Sequence, residues 1–137
     1  MKTALLLLFC SLPAFSQSQP DPNQAATAQK FKQLEASAPK GYPTPFVVAS
    51  AVSQPGQLLG REQSCAMNIE TLGQVYYVTA MQGFTAACKV YAPGTVMYGH
   101  VHQLLGQVVD LLDTTGAKPK SHRYTVENVA LVDPSQQ

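Results

Sequence analysis

The chain has 137 residues, of which 12% are charged and 45% are hydrophobic, and its formal net charge is +1. This length leaves room for one ordinary domain, and the nearly balanced charge argues against a nucleic-acid or anionic-membrane binder, which usually carries a clustered basic face. Tryptophan is absent and tyrosine is the commonest aromatic residue, which suits half-buried β-strands.

The start of the chain has the order of a secretory signal peptide over residues 1–16. A basic residue, Lys2, precedes an apolar run over residues 4–10, which Leu12 and Pro13 interrupt before the segment 14–16 (Ala-Phe-Ser). This order predicts cleavage after Ser16 and export to the periplasm or the extracellular space. The apolar run is too short to cross a bilayer as a helix. We therefore expect Cys10 to leave with the signal and no transmembrane segment to remain.

Residues 17–45 are rich in Pro, Gln and Ala, a composition that predicts a mostly flexible segment. Within it, residues 23–38 lack proline, and Phe31 and Leu34 are spaced to share one face of a helix. Two apolar residues make a weak stripe, so such a helix is marginal unless it docks against the rest of the chain.

A folded domain is predicted over residues 46–133, followed by a short tail over residues 134–137. Seven segments have the apolar or alternating composition of strands and are separated by turn residues. These segments are residues 46–52, 65–71, 75–81, 84–90, 95–103, 107–113 and 121–132. In the last segment the apolar alternation changes phase near Glu127 and Asn128, which predicts a β-bulge. The pattern predicts an all-β fold, either a small, strongly coiled barrel or a compact sandwich.

Two cysteines, Cys65 and Cys88, remain once the signal is removed, and in an exported chain they are expected to form a disulfide. A flat meander would place their strands two spacings apart, about 9.6 Å at ~4.8 Å per spacing. A disulfide needs Cα atoms within roughly 7 Å of each other. Either the sheet is therefore strongly coiled, with the bond crossing the core, or one predicted strand boundary is wrong. We favour a closed or nearly closed barrel.

The segments at residues 94–101, 107–112 and 124–131 resemble the closing strands of exported oligonucleotide/oligosaccharide-binding (OB) barrels. The similarity covers apolar alternation and the glycine between two of the strands. It implies a barrel that is OB-like or related, with a ligand-binding face on its wall.

Two histidines, His100 and His102, lie two positions apart on a predicted strand, so their imidazoles project to the same side. Two such imidazoles and a third ligand can bind zinc, copper or nickel. His122 is the candidate third ligand, and Asp110 or Asp113 is a candidate fourth. The competing interpretation is a solvent-facing strand side without any cofactor.

The sequence contains neither a Gly-x-Ser-x-Gly nucleophile motif nor a phosphate-binding glycine loop. A non-catalytic role is therefore favoured over an enzyme. The main hypothesis is an exported binding or accessory module for a protein or carbohydrate ligand, contacted by whichever tyrosines are exposed among Tyr76, Tyr77, Tyr91, Tyr98 and Tyr124. One alternative is a metal-binding protein or small metalloenzyme using His100 and His102, and another is a structural envelope component that works by assembly.

Overall fold

The computed structural model describes residues 22–55, 63–81 and 88–137. The described residues form, in chain order, helix α1 (Pro22–Ala36), strands β1 (Thr44–Pro55), β2 (Gln63–Thr71), β3 (Gln74–Met81), β4 (Val96–Leu104), β5 (Gly106–Asp113) and β6 (Lys120–Leu131), and a terminal 3₁₀ turn (Pro134–Gln136). None of the helices in these ranges is long and apolar enough to cross a membrane. The predicted signal peptide, residues 1–16, lies outside the described residues.

The six described strands form a closed antiparallel barrel in the order β1-β2-β3-β6-β5-β4, with β4 pairing back onto β1. β1–β3 and β4–β6 are two meanders, joined where β3 pairs with β6 and where β1 pairs with β4. The predicted all-β barrel is confirmed. Its six strands distinguish it from the five-stranded, partly open OB-fold.

Every second residue along a strand points into the barrel, and these inward-facing side chains fill its interior. In β2, Cys65, Met67 and Ile69 are at most 1% exposed, as their alternation predicts. The rings of Phe46 and Tyr76 pack edge to face at 5.6 Å between centroids, the arrangement that aromatic pairs prefer. The core comprises Phe46, Val48, Met67, Ile69, Tyr76, Val78, Tyr91, Met97, Val109, Leu111 and Tyr124. Burial of this apolar set is the main force that closes the barrel.

Two bulges bend the wall. The β1–β2 register shifts between Val48 and Ser50, and the β3–β6 register shifts where Tyr77 and Val78 face Asn128 and Val126. The second shift leaves Glu127 as the extra residue and confirms the bulge predicted there. Each bulge increases local twist and curvature, which a six-stranded sheet needs in order to close.

The predicted strand at residues 84–90 requires a correction. Residues 88–90 are not in a strand, and residues 84–87 and the turn before them lie outside the described ranges. Residues 88–90 could not lie as a strand beside residues 74–79, which already pair with β2 on one side and β6 on the other. The strand boundary set at Cys88 was therefore wrong, while the predicted closure of the barrel is confirmed.

Part of the segment at residues 17–45, which was predicted to be mostly flexible, is helical and docks against the barrel. Residues 22–36 form α1, in which Phe31 is 4% exposed and Leu34 is half-buried. The helix packs beside β1 and the terminal 3₁₀ turn. Docking of Phe31 supplies the apolar contact without which such a helix is marginal.

Candidate functional site

The outer face of β1, β2 and β3 contains a groove of about 490 Å³, which we call the β1–β3 groove. Most of its lining side chains point outward, on the phase opposite to the core residues of the same strands, whereas Cys65, Met67 and Ala80 belong to the inward phase. The described residues that line it are Ser50, Val52, Ser64, Cys65, Ala66, Met67, Asn68, Tyr77, Thr79 and Ala80. Its volume is in the range that suits a small ligand.

The strand registers align the groove residues in rows across the sheet. Asn68 on β2 is the partner of Ser50 on one side and of Tyr77 on the other. In the next row, Ala66 is the partner of Val52 and Thr79. The bulge after Val48 sets the phase in which Ser50 and Val52 face outward.

The groove combines an exposed aromatic ring with neutral hydrogen-bonding groups. Tyr77 is 42% exposed. The Asn68 side-chain amide donates to Ser50 Oγ at 2.8 Å, and the Thr79 hydroxyl donates to Glu127 Oε1 at 2.7 Å, at the edge of the groove. None of its described lining residues is charged. Tyr77 is one of the tyrosines that the sequence suggested as ligand contacts. The sequence analysis did not identify Ser50 and Asn68, although polar residues at outward-facing strand positions could have indicated a binding surface.

A second cluster lies on the outer face of β4, β5 and β6. His100 and His102 share one side of β4, as predicted, and their rings stack with centroids 4.9 Å apart and planes 8° from parallel. His102 Nε2 lies 2.8 Å from Asp110 Oδ2. Arg123 donates to the same carboxylate through Nε at 2.7 Å and Nη2 at 3.0 Å. These bonds from Arg123 hold the pKa of Asp110 below its usual value.

His122 does not join the other two histidines. It precedes Arg123 on β6, and neighbouring strand residues point to opposite sides of a sheet. Its Nε2 atom is buried, 3.7 Å from Asp113 Oδ2 at the inner side of the wall. The predicted three-histidine set is therefore not assembled, and the described residues contain no group of three or more His, Cys, Asp or Glu placed to hold a metal ion.

A third cluster closes one end of the barrel around Asp113, the last residue of β5. Its buried carboxylate accepts hydrogen bonds from Lys89 Nζ and the Tyr91 hydroxyl, both at 2.8 Å, and from the backbone and hydroxyl of Thr115. The bonds from Lys89 and Thr115 hold the pKa of Asp113 well below its usual value. Burial, and then the bond to Asp113, raise the pKa of Tyr91. Burial also raises the pKa of Tyr124 to about 12.

This third cluster fastens the irregular segment that precedes β4. The Tyr124 hydroxyl donates to the Lys89 carbonyl, and the predicted disulfide joins Cys88 to Cys65 of β2, with Cα atoms 6.0 Å apart. The hydrogen bonds of Asp113, Tyr91 and Tyr124 thus hold the segment around Lys89 against β5 and β6. We assign this third cluster a structural role.

No protein-family model matches the chain, and neither the curated proteins nor the solved structures contain a significant match. The functional proposals below are therefore based on the chemistry of two places: the β1–β3 groove, and the outer face of β4 and β5 that carries His100 and His102.

Proposed function

We propose that this protein is an exported, non-catalytic binding domain that holds a carbohydrate in the β1–β3 groove. The observation that carries the proposal is the exposed ring of Tyr77 beside the amide of Asn68 and the hydroxyl of Ser50, in one cross-strand row.

A sugar matches this combination of groups. Pyranose rings have apolar C–H faces that can lie on an aromatic ring, and hydroxyls around their edges that need hydrogen-bond partners. Tyr77 offers the apolar ring face. Asn68, Ser50 and Thr79 offer neutral donors and acceptors. A nucleotide or an acidic peptide would instead call for cationic side chains, and the described groove lining has none.

Export is part of the proposal and has two supports. Residues 1–16 have the order of a signal peptide, and the disulfide between Cys65 and Cys88 is a bond that persists in oxidising compartments. The expected location is the periplasm or the extracellular space.

The test is a glycan-array and polysaccharide pull-down screen with the untagged protein, followed by calorimetric titration of each hit. We expect at least one neutral oligosaccharide to bind. Tyr77→Ala should weaken that binding at least ten-fold, because the ring is the main apolar contact. Tyr77→Phe should retain most of it.

Tyr98→Ala is the matched control, since Tyr98 is a half-buried outward tyrosine on β4, away from the groove. It should bind as the wild-type protein does. The proposal is wrong if no neutral glycan binds, or if Tyr77→Ala and Tyr98→Ala weaken binding equally. Sedimentation measured over a range of concentrations tests the competing role as an assembling envelope component, which requires growth of the particle with concentration.

A further inference from the structure

The outer face of β4 and β5 carries two adjacent imidazoles, those of His100 and His102, away from the β1–β3 groove. We infer that His100 and His102 bind one divalent copper ion at the barrel surface, and that Asp110 positions His102 for this role. The remaining coordination positions are filled by water, because the outer side of His100 is exposed. Neither a glycan nor the groove is needed for this binding.

The spacing of the two rings suits a shared ion. With metal–nitrogen bonds of ~2.0–2.1 Å, two imidazoles on neighbouring positions of one metal have ring centroids about 5 Å apart. The centroids of His100 and His102 are 4.9 Å apart. The rings now lie parallel, so binding requires rotation of the exposed His100 ring about its χ2 torsion, which has a broad energy profile.

The second observation is the partner of His102. Its Nε2 lies 2.8 Å from Asp110 Oδ2, so Nε2–H donates to the carboxylate and the lone pair of a neutral ring resides on Nδ1. A metal-binding histidine commonly donates its other nitrogen to a carboxylate in this way. Arg123 in turn holds both oxygens of Asp110. The tautomer and the orientation of His102 are thereby set before any ion arrives.

Copper is the expected ion because imidazole ligands suit it and because it lies at the top of the affinity order for divalent first-row metals. Zinc and nickel should bind more weakly at the same two side chains. Asp110 is a positioning residue and not a ligand, since Arg123 and His102 already engage its oxygens.

The test is titration of the untagged protein with Cu²⁺, followed by calorimetry and by electron paramagnetic resonance. We expect one ion per chain and nitrogen hyperfine coupling from two imidazoles. His100→Ala and His102→Ala should each weaken binding at least ten-fold and reduce the coupling to one nitrogen. Asp110→Asn should weaken binding by about ten-fold while the two-nitrogen signature remains.

His122→Gln provides the matched control, because this histidine points to the opposite side of the wall. Its copper affinity and spectrum should equal those of the wild-type protein, and circular dichroism of every variant checks that the barrel is folded. Equal copper affinity in the wild-type protein and the folded His100→Ala/His102→Ala double variant would overturn the inference. So would a spectrum without imidazole nitrogen, or loss of binding in a folded His122→Gln variant.

Discussion

The hydroxyl of Tyr91 donates a hydrogen bond of 2.8 Å to the buried carboxylate of Asp113. This bond ties the segment before β4 to the end of β5. Lys89, two residues before Tyr91, donates to the same carboxylate oxygen. Asp113 and Tyr91 are both buried, whereas the Lys89 side chain is 46% exposed. Loss of the carboxylate would leave the buried Tyr91 hydroxyl without its acceptor, which is costly. The stability of this barrel end therefore depends on Asp113.

Substitution of Asp113 should be among the most destabilising changes in the wall. We expect Asp113→Ala to lower the free energy of unfolding by about 3 kcal/mol, since it leaves Lys89 and Tyr91 without their acceptor. Asp110→Ala is the comparison on the outer face of the same strand, and there the loss should be about 1 kcal/mol or less. Urea denaturation measures both. Equal losses would contradict the structural role assigned to Asp113.

Acid should destabilise the barrel through the same carboxylate. Because the pKa of Asp113 is lowered in the folded protein, the unfolded chain binds more protons at low pH and stability rises with pH. The contribution is fully present above about pH 5 and is lost as the pH falls through ~3.9 towards the lower folded value. Between about pH 7 and about pH 3, the wild-type protein should lose roughly 1 kcal/mol more stability than Asp113→Asn. Parallel losses in urea denaturation would show that other groups carry the acid response.

The disulfide should stabilise the domain mainly through the unfolded chain. Cys65 and Cys88 are 23 residues apart, and closure of a loop of that length contributes about 3 kcal/mol in the chain-entropy treatment. We expect the double variant Cys65→Ala/Cys88→Ala to unfold at correspondingly lower urea concentration. The wild-type protein under a reducing agent should show the same loss. If reduction leaves the urea midpoint unchanged, the bond adds nothing to the stability of the barrel.

Docking of α1 depends on Phe31. Because the ring is 4% exposed, Phe31→Ala removes about 3 kcal/mol of packing, and the helix has little other apolar contact to keep it in place. We expect faster amide exchange over Pro22–Ala36 with unchanged exchange in the strands. Lys32→Ala, an exposed neighbour, should leave the helix protected. Equal protection in both variants would show that α1 does not rely on this contact.

Gly99 permits close packing between the wall and the core. A Cβ atom at this position would come within 2.9 Å of Leu111 Cδ2 and 3.0 Å of Phe46 Cε2. Gly99→Ala should therefore lower stability by about 1–3 kcal/mol through overpacking. Gly116→Ala, whose nearest neighbour would be 3.7 Å away, should change it by less than about 0.5 kcal/mol. A thermal or urea melt that cannot distinguish the two variants would contradict this packing argument.

Local pattern alone determined several features of this protein. Alternation placed Cys65 and Met67 inside and His100 and His102 together, because side-chain direction along a strand depends only on the parity of the position. The phase change near Glu127 predicted a bulge for the same reason. The two cysteines left after the predicted signal peptide predicted the disulfide. The closed barrel was inferred from the reach of that bond between two strands, but residues 88–90 are not in a strand, so this inference reached the right fold from a wrong premise.

Only the tertiary structure determined which residues far apart in the sequence come into contact. Pairing of β3 with both β2 and β6 left no position beside residues 74–79 for another strand. The β5–β6 register pairs Leu111 with His122, which puts His122 on the inner side, near Asp113 and away from the other histidines. The row of Ser50, Asn68 and Tyr77 likewise depends on strand registers. Such contacts depend on which strands become neighbours, a choice made by burial of the whole core and not by any one segment.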